Sequence, residues 1–146
     1  MKLDKAAILI KKSALEFDKI SNAVLEEHDL TVSQYKVMKY LYEEAKSGVR
    51  IVDLEKYYSM SHPTTIGIVQ NLEKKGLIEY RNNPNDARSR YIIPTDRALE
   101  RRSELNDIVT TLEKKLTGNL TEKERQRLVE LLLKMLGIGK EQGGAQ

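Results

Sequence analysis

Ser61, His62, Thr64 and Thr65 crowd three hydroxyls and an imidazole into the opening turn of a prospective helix, with the branched apolar Ile66 directly behind them. Further on, Arg81, Arg88 and Arg90 share a loop that holds a single acidic residue, Asp86. Polar donors and acceptors at a helix start can meet base edges in the major groove of a duplex, and Ile66 can lie against a thymine methyl. Guanidinium groups on an exposed loop suit phosphates or a narrow, electronegative minor groove. The plain alternatives are a helix cap, solvated threonines and a solvated loop. Ser61 can cap and contact DNA at once, while for Thr64, Thr65 and the arginines the direct succession of capped helix and basic loop favours contact with DNA.

The residues around these groups predict the elements that hold them. Ser61 can cap, Pro63 falls in the first turn and Gly76 can close the end, so a helix is expected from Ser61 to Gly76. Its buried side is expected to be Ile68, Val69 and Leu72, leaving Thr64 and the surroundings of Gly67 and Asn71 facing outward. Ile78-Glu79-Tyr80 and Tyr91-Ile92-Ile93 are β-prone runs on either side of the turn-rich stretch from Arg81 to Arg90, which predicts a hairpin with a basic tip. Upstream, Ile51 to Tyr58 predicts a short helix parted from the next by only Ser59 and Met60, a helix-turn-helix spacing. Val49 and Arg50 are expected to add a minor strand to the hairpin. Thr31-Val32-Ser33-Gln34 has capping-box spacing and opens a helix with Val37 and Leu41 on its stripe, ending before Ser47-Gly48.

Both ends of the chain read as amphipathic helices. Leu3, Ala7, Ile10, Ala14, Phe17, Ile20 or Ser21, and Val24 recur every three or four positions up to Glu27. After Thr95, one long helix is expected from Asp96 to Leu116, with Ala98, Leu105, Ile108, Leu112 and Leu116 on its seam. Gly118-Asn119 breaks it, Thr121 to Glu124 forms a second capping box, and Leu128, Leu131, Leu132, Met135 and Leu136 line the last helix. These stripes are more than one small middle unit can cover, which argues for burial against a second copy.

Bulk properties narrow the function. At 146 residues one compact domain is expected, and 25 basic against 22 acidic residues, net +3, permits a polyanionic partner without demanding one. The absence of cysteine excludes disulfides, a thiolate nucleophile, a thiol switch and a sulfur-rich zinc site. His28 and His62 are too few and too far apart for a convincing metal site, although Glu26, Glu27, His28 and Asp29 form an acidic cluster that reads as a solvated helix end. No cofactor is expected, and no phosphate-binding glycine loop, nucleophile elbow or zinc-protease helix points to an enzyme. Met1 to Lys5 leads into an apolar cluster broken by Lys11 and Lys12, not a secretory signal, and no run is long enough for a membrane span, so a cytoplasmic protein is expected. Of the seven tyrosines, Tyr35, Tyr40 and Tyr42 fit core packing, with Tyr35 also placed to line a small-ligand pocket.

The whole pattern resembles the MarR family of bacterial winged-helix transcription regulators. The resemblance is carried by Leu30 to Tyr35, by Leu72-Glu73-Lys74-Lys75-Gly76-Leu77-Ile78, by Asp86-Ala87-Arg88, by Pro94-Thr95 where the family usually has leucine-threonine, and by Leu120 to Glu124. Gly67 and Ile66 stand where many members carry polar or basic contact residues, and Ala98 replaces a common glycine. The resemblance implies a mainly α fold with a small β-wing: a terminal dimerisation helix at 1–30, a winged helix-turn-helix at 31–96, further dimerisation helices at 97–136, and a flexible tail at 137–146. It implies a homodimer on a pseudo-palindromic, inverted-repeat operator in double-stranded DNA, tuned by a small-molecule effector. Arg88 matches the wing arginine that approaches the minor groove, and Asp86 the acidic partner that orients it. The rival readings are a winged-helix protein-interaction module, a sequence-neutral architectural DNA binder and, more remotely, a small enzyme.

Overall fold

The computed structural model describes residues 5–139. They form α1 (Ala6–Glu27), α2 (Val32–Glu44), a 3-10 turn (Ala45–Ser47), α3 (Ile51–Tyr58), α4 (His62–Lys74), β1 (Ile78–Asn82), β2 (Arg90–Pro94), α5 (Asp96–Glu100), α6 (Arg102–Thr117) and α7 (Glu122–Leu136). The fold is therefore mainly α with one small antiparallel hairpin, the winged-helix arrangement. Leu3 at the start of the first expected stripe and 140–146 of the expected tail lie outside the described residues.

Side chains set most of the element starts. Thr31 accepts from the Gln34 amide at 3.1 Å while Gln34 Oε1 accepts from the Thr31 amide at 3.2 Å, so the expected capping box opens α2. Thr121 and Glu124 do the same for α7. At the end of α4, Gly76 takes φ +75° and the Leu77 amide reaches back to the Leu72 carbonyl at 3.0 Å, turning the chain into β1. Thr95 caps α5 and also donates to the Gly76 carbonyl at 2.6 Å, which ties the hairpin's exit to its entrance.

The chain forms two compact units, 1–112 and 113–146, with the border inside α6. In the first, Val37, Met38, Leu41, Leu54, Val69, Leu72, Leu77, Ile92, Leu105 and Ile108 form the solvent-free core. The last turns of α1 join that core through Ser21, Val24 and Leu25, whereas residues 5–19 are exposed along their whole length. In the hairpin Ile78 pairs with Pro94, Tyr80 with Ile92 and Asn82 with Arg90; in place of the minor strand expected at Val49 and Arg50, Val49 alone makes an isolated bridge to Ile92 while Arg50 caps α3. Both strands run further than the β-prone runs, taking in Arg81, Asn82 and Arg90. In the second unit Arg125 pairs with Glu122 at 2.8 Å and Glu113 at 3.3 Å, and no residue of α7 is buried.

One expected element is corrected. The long helix from Asp96 is two helices, broken at Arg101. The Tyr42 hydroxyl donates to the Ala98 carbonyl at 2.6 Å, and the Arg101 amide takes the same carbonyl at 3.1 Å. In a continuous helix that acceptor would serve the amide four residues on. The Arg101 guanidinium meanwhile donates to the His28 carbonyl and to Glu104, fixing the corner against α1.

Candidate nucleic-acid interface

The turn between α3 and α4 is made by Ser59, held in the left-handed region at φ 52°, with the Met60 amide bonded back to the Glu55 carbonyl at 3.0 Å. α4 then starts at Ser61, whose hydroxyl accepts from the Thr64 amide at 3.3 Å and donates to Thr64 Oγ1 at 2.9 Å. Ser61 and Thr64 are both exposed, so capping uses one face of these hydroxyls and leaves the other to solvent. His62 is exposed too, and its Nδ1 hydrogen-bonds Glu55 Oε1, tying α3 to α4.

Thr65 corrects the sequence reading. It is fully buried, and its hydroxyl donates to the Ser61 carbonyl at 2.9 Å. At 100° per residue it lies one turn before Val69 and two before Leu72, inside the apolar stripe, so it faces the core and not a duplex. Ile66 is half-buried on the flank. The outward stripe is Pro63, Thr64, Gly67, Gln70, Asn71 and Lys74, of which only Gly67 is partly covered.

The wing tip between the strands is built by two side-chain turns. Asn83 Oδ1 accepts from the Asn85 amide at 2.9 Å and Asp86 Oδ1 from the Arg88 amide at 3.0 Å. Asp86 thus shapes the main chain that presents Arg88, and among the described residues its carboxylate pairs with no guanidinium. The three wing arginines have different surroundings. Arg81 lies 3.8 Å from Glu79, and the Arg90 guanidinium stacks 4.3 Å above the Tyr80 ring. Burial holds the Tyr80 hydroxyl above the usual phenol range, with Glu73 adding to it and Arg90 opposing. Arg88 is exposed, and among the described residues no ion pair or aromatic ring engages its side chain.

Tyr35, expected at a ligand pocket, is half-buried and donates to the Leu105 carbonyl at 3.3 Å, a strut from α2 to α6. Burial, with Glu43 second, raises its pKa. A nearby cavity of about 500 Å³ is lined by Asn22, Glu26, Asp29, Thr31, Ser33 and Lys75, not by Tyr35. Among the described residues no three His, Asp or Glu side chains gather as a metal site.

A sequence model described as MarR family matches residues 28–89, the stretch that carries α2 to the wing tip. The fold is similar over nearly the whole chain to wild-type MarR of E. coli without ligand, with 27% identity, coverage of 93% of this chain and 99% of that one, and a TM-score of 0.77. It is similar to MepR, a transcription regulator of the Staphylococcus aureus multidrug efflux pump MepA, with 26% identity, coverage of 91% and 97%, and a TM-score of 0.80. This chain's matched segment and its fold are thus similar to those of MarR-family regulators. A third similar structure is a cysteine-to-serine mutant of E. coli MarR complexed with operator DNA, with 28% identity, coverage of 89% and 92%, and a TM-score of 0.70. No curated protein sequence matches this chain.

Gln70, near the centre of the outward stripe beside Asn71, is not among the residues singled out from the sequence. The signal was present: with Val69 and Leu72 taken as core, a helical wheel puts Gln70 outside, and the same wheel puts Thr65 inside.

Proposed function

We propose that this chain is a DNA-binding transcriptional regulator that grips an inverted-repeat operator as a homodimer, laying one α4 in the major groove and one wing tip in the minor groove of each half-site. The observation that carries this reading is a polar α4 stripe, with Thr64, Gln70 and Asn71 exposed, followed directly by a wing tip whose Arg88 has no partner among the described residues. Ser61, His62 and Thr64 at the helix start, Ile66 on the flank, and Arg81 and Arg90 on the strands complete the surface. The complex of mutant E. coli MarR with operator DNA supports the same use of this fold.

Dimerisation is supported by what the terminal helices leave uncovered. Ile8, Leu9, Leu15 and Phe17 on α1 and Leu128, Leu131, Met135 and Leu136 on α7 are all exposed. Apolar rows of this kind need a partner, and a second copy is the simplest one. Residues 1–30 and 97–136 would form that layer, with 31–96 as the DNA-binding unit. Covering a promoter makes the protein a repressor rather than an enzyme, working in the cytoplasm. Among the described residues no helix is long and apolar enough to cross a membrane. The cavity beside Lys75 would admit a small effector whose preference for a non-binding shape releases the operator.

Selection from a pool of random duplexes, followed by a salt titration on the enriched sequence, tests the proposal. The expected result is an inverted repeat bound far more tightly than random duplex, with half-site centres about 34 Å apart. Equal affinity for both would replace it with a sequence-neutral binder, and duplex left free in dilute salt would end it.

A further inference from the structure

Resting on the DNA-binding reading above, we infer that the half-site beneath α4 is rich in A·T pairs, that Gln70 and Asn71 are its adenine readers, and that Gly67 is the opening through which they reach the bases. The stripe that would face the groove contains Pro63, Thr64, Gly67, Gln70, Asn71 and Lys74. Its one cation, Lys74, stands at the C-terminal end of the stripe, three residues beyond Asn71. Guanine is read chiefly by arginine or lysine on O6 and N7, and the first turns of α4 carry neither.

What the stripe carries ahead of Lys74 fits the other purine. Adenine offers an acceptor at N7 and a donor at N6, the complement of a side-chain amide. Gln70 and Asn71 are exposed neighbours, and their amides make no hydrogen bond among the described residues, so both are free to bind a base edge. Thymine projects a methyl group into the major groove, and Thr64 with Ile66 offers methyl groups to meet it. Glu73, which has the chemistry to accept from cytosine, lies on the flank beside Ile66, where it would face the phosphate wall.

Gly67 fits no structural need of the protein itself. A Cβ built there would meet nothing within 4 Å, and its φ lies in the ordinary helical range. Glycine inside a helix is less favourable than alanine, so its contribution lies in what it leaves open. The gap lies between Pro63 and Thr64 on one side and Gln70 and Asn71 on the other, room for a thymine methyl and for close approach of the backbone. Arg88 at the wing tip has the same leaning, because A-tracts narrow the minor groove and deepen its negative potential.

The test repeats the random-duplex selection with the full chain and its Gly67→Ala, Gln70→Ala and Asn71→Ala variants, recording Tm for each. The wild type should enrich an inverted repeat whose half-site holds a run of A·T pairs. Each amide truncation should flatten the adenine preference at one position of each half-site, by roughly 5- to 150-fold in relative affinity. Gly67→Ala should raise Tm yet weaken binding to the selected duplex about tenfold or more, with an unchanged salt slope. An inverted repeat centred on G·C pairs, an A·T half-site indifferent to both amide variants, or wild-type affinity in Gly67→Ala would each overturn the inference while leaving the regulator in place. Failure to enrich any inverted repeat would overturn both.

Discussion

Thr64 and Thr65 are chemically identical neighbours in opposite surroundings, and the difference decides which of them can touch DNA. Thr65 is sealed in the core with its hydroxyl spent on the Ser61 carbonyl, an acceptor that also holds the Thr65 amide at 3.0 Å. Replacing that hydroxyl with a methyl strands no partner, so Thr65→Val should cost less than about 1.5 kcal/mol in thermal or urea melts and leave duplex affinity at the wild-type level. A large loss of affinity without a loss of stability would put Thr65 back on the reading face. Arg88 is the converse. Its side chain supports nothing in the fold, so Arg88→Ala should leave Tm within the range of a neutral surface change, about 0.5 kcal/mol, while lowering operator affinity. If the guanidinium neutralises a phosphate, the slope of log K against log salt should fall by about 0.9 for each phosphate no longer neutralised, which a fluorescence-anisotropy titration at several salt concentrations resolves.

Among the elements, the hairpin and the α2–α3 packing each contain a contact that one substitution can test. Gly48, at φ +79°, passes so close to Tyr91 that a Cβ would fall 2.6 Å from the ring. The left-handed conformation alone costs a non-glycine residue roughly 1–2 kcal/mol, so Gly48→Ala should destabilise by about 2 kcal/mol or more and loosen the Val49 bridge to Ile92, visible as faster amide exchange at Ile92. Tyr58 joins α3 to α2 by donating to the Lys36 carbonyl at 2.8 Å, and burial first, then the Tyr57 and Glu43 charges, push its pKa up to about 12. The folded protein keeps the phenol neutral where the unfolded chain ionises it, near pH 10. This contribution is therefore fully present below pH 10 and is lost as the pH climbs to 12. Melts between pH 9 and 12 should show a shallower loss in Tyr58→Phe than in the wild type. Helix starts were legible in the sequence because Thr31, Ser61, Thr95 and Thr121 each act on the amide three residues on. The break at Arg101 was not, because it depends on the Tyr42 hydroxyl reaching the Ala98 carbonyl from 56 residues before Ala98. Thr65 was misread for a different reason: its polarity outweighed a position on the wheel that already pointed inward. The true length of the strands was hidden as well, since Arg81, Asn82 and Arg90 are exposed, and it is pairing rather than burial that makes them β.

At the scale of the whole molecule the proposed function requires two reading heads acting as a pair. In the proposed dimer a single α4 and wing would touch one half-site, and joining two such heads would make the second contact intramolecular, worth a factor of roughly 10² to 10⁴ in overall affinity when the spacing matches. The proposed layer that sets this spacing includes α7, where Leu131 and Met135 sit one turn apart, 47% and 56% exposed in the isolated chain. Placing aspartate at both should bury like charges face to face in a two-fold dimer while removing nothing from the core of either protomer. The Leu131→Asp, Met135→Asp double variant should thus keep its far-ultraviolet dichroism, sediment as a monomer and bind the selected inverted repeat at least a hundredfold more weakly. Its affinity for a lone half-site should match that of the wild type, because the reading surface itself is untouched. A double variant that remains dimeric would move the interface off this face of α7. A monomer with undiminished affinity for the full repeat would show that one head suffices, and the spacing of half-sites would then carry no information for this protein.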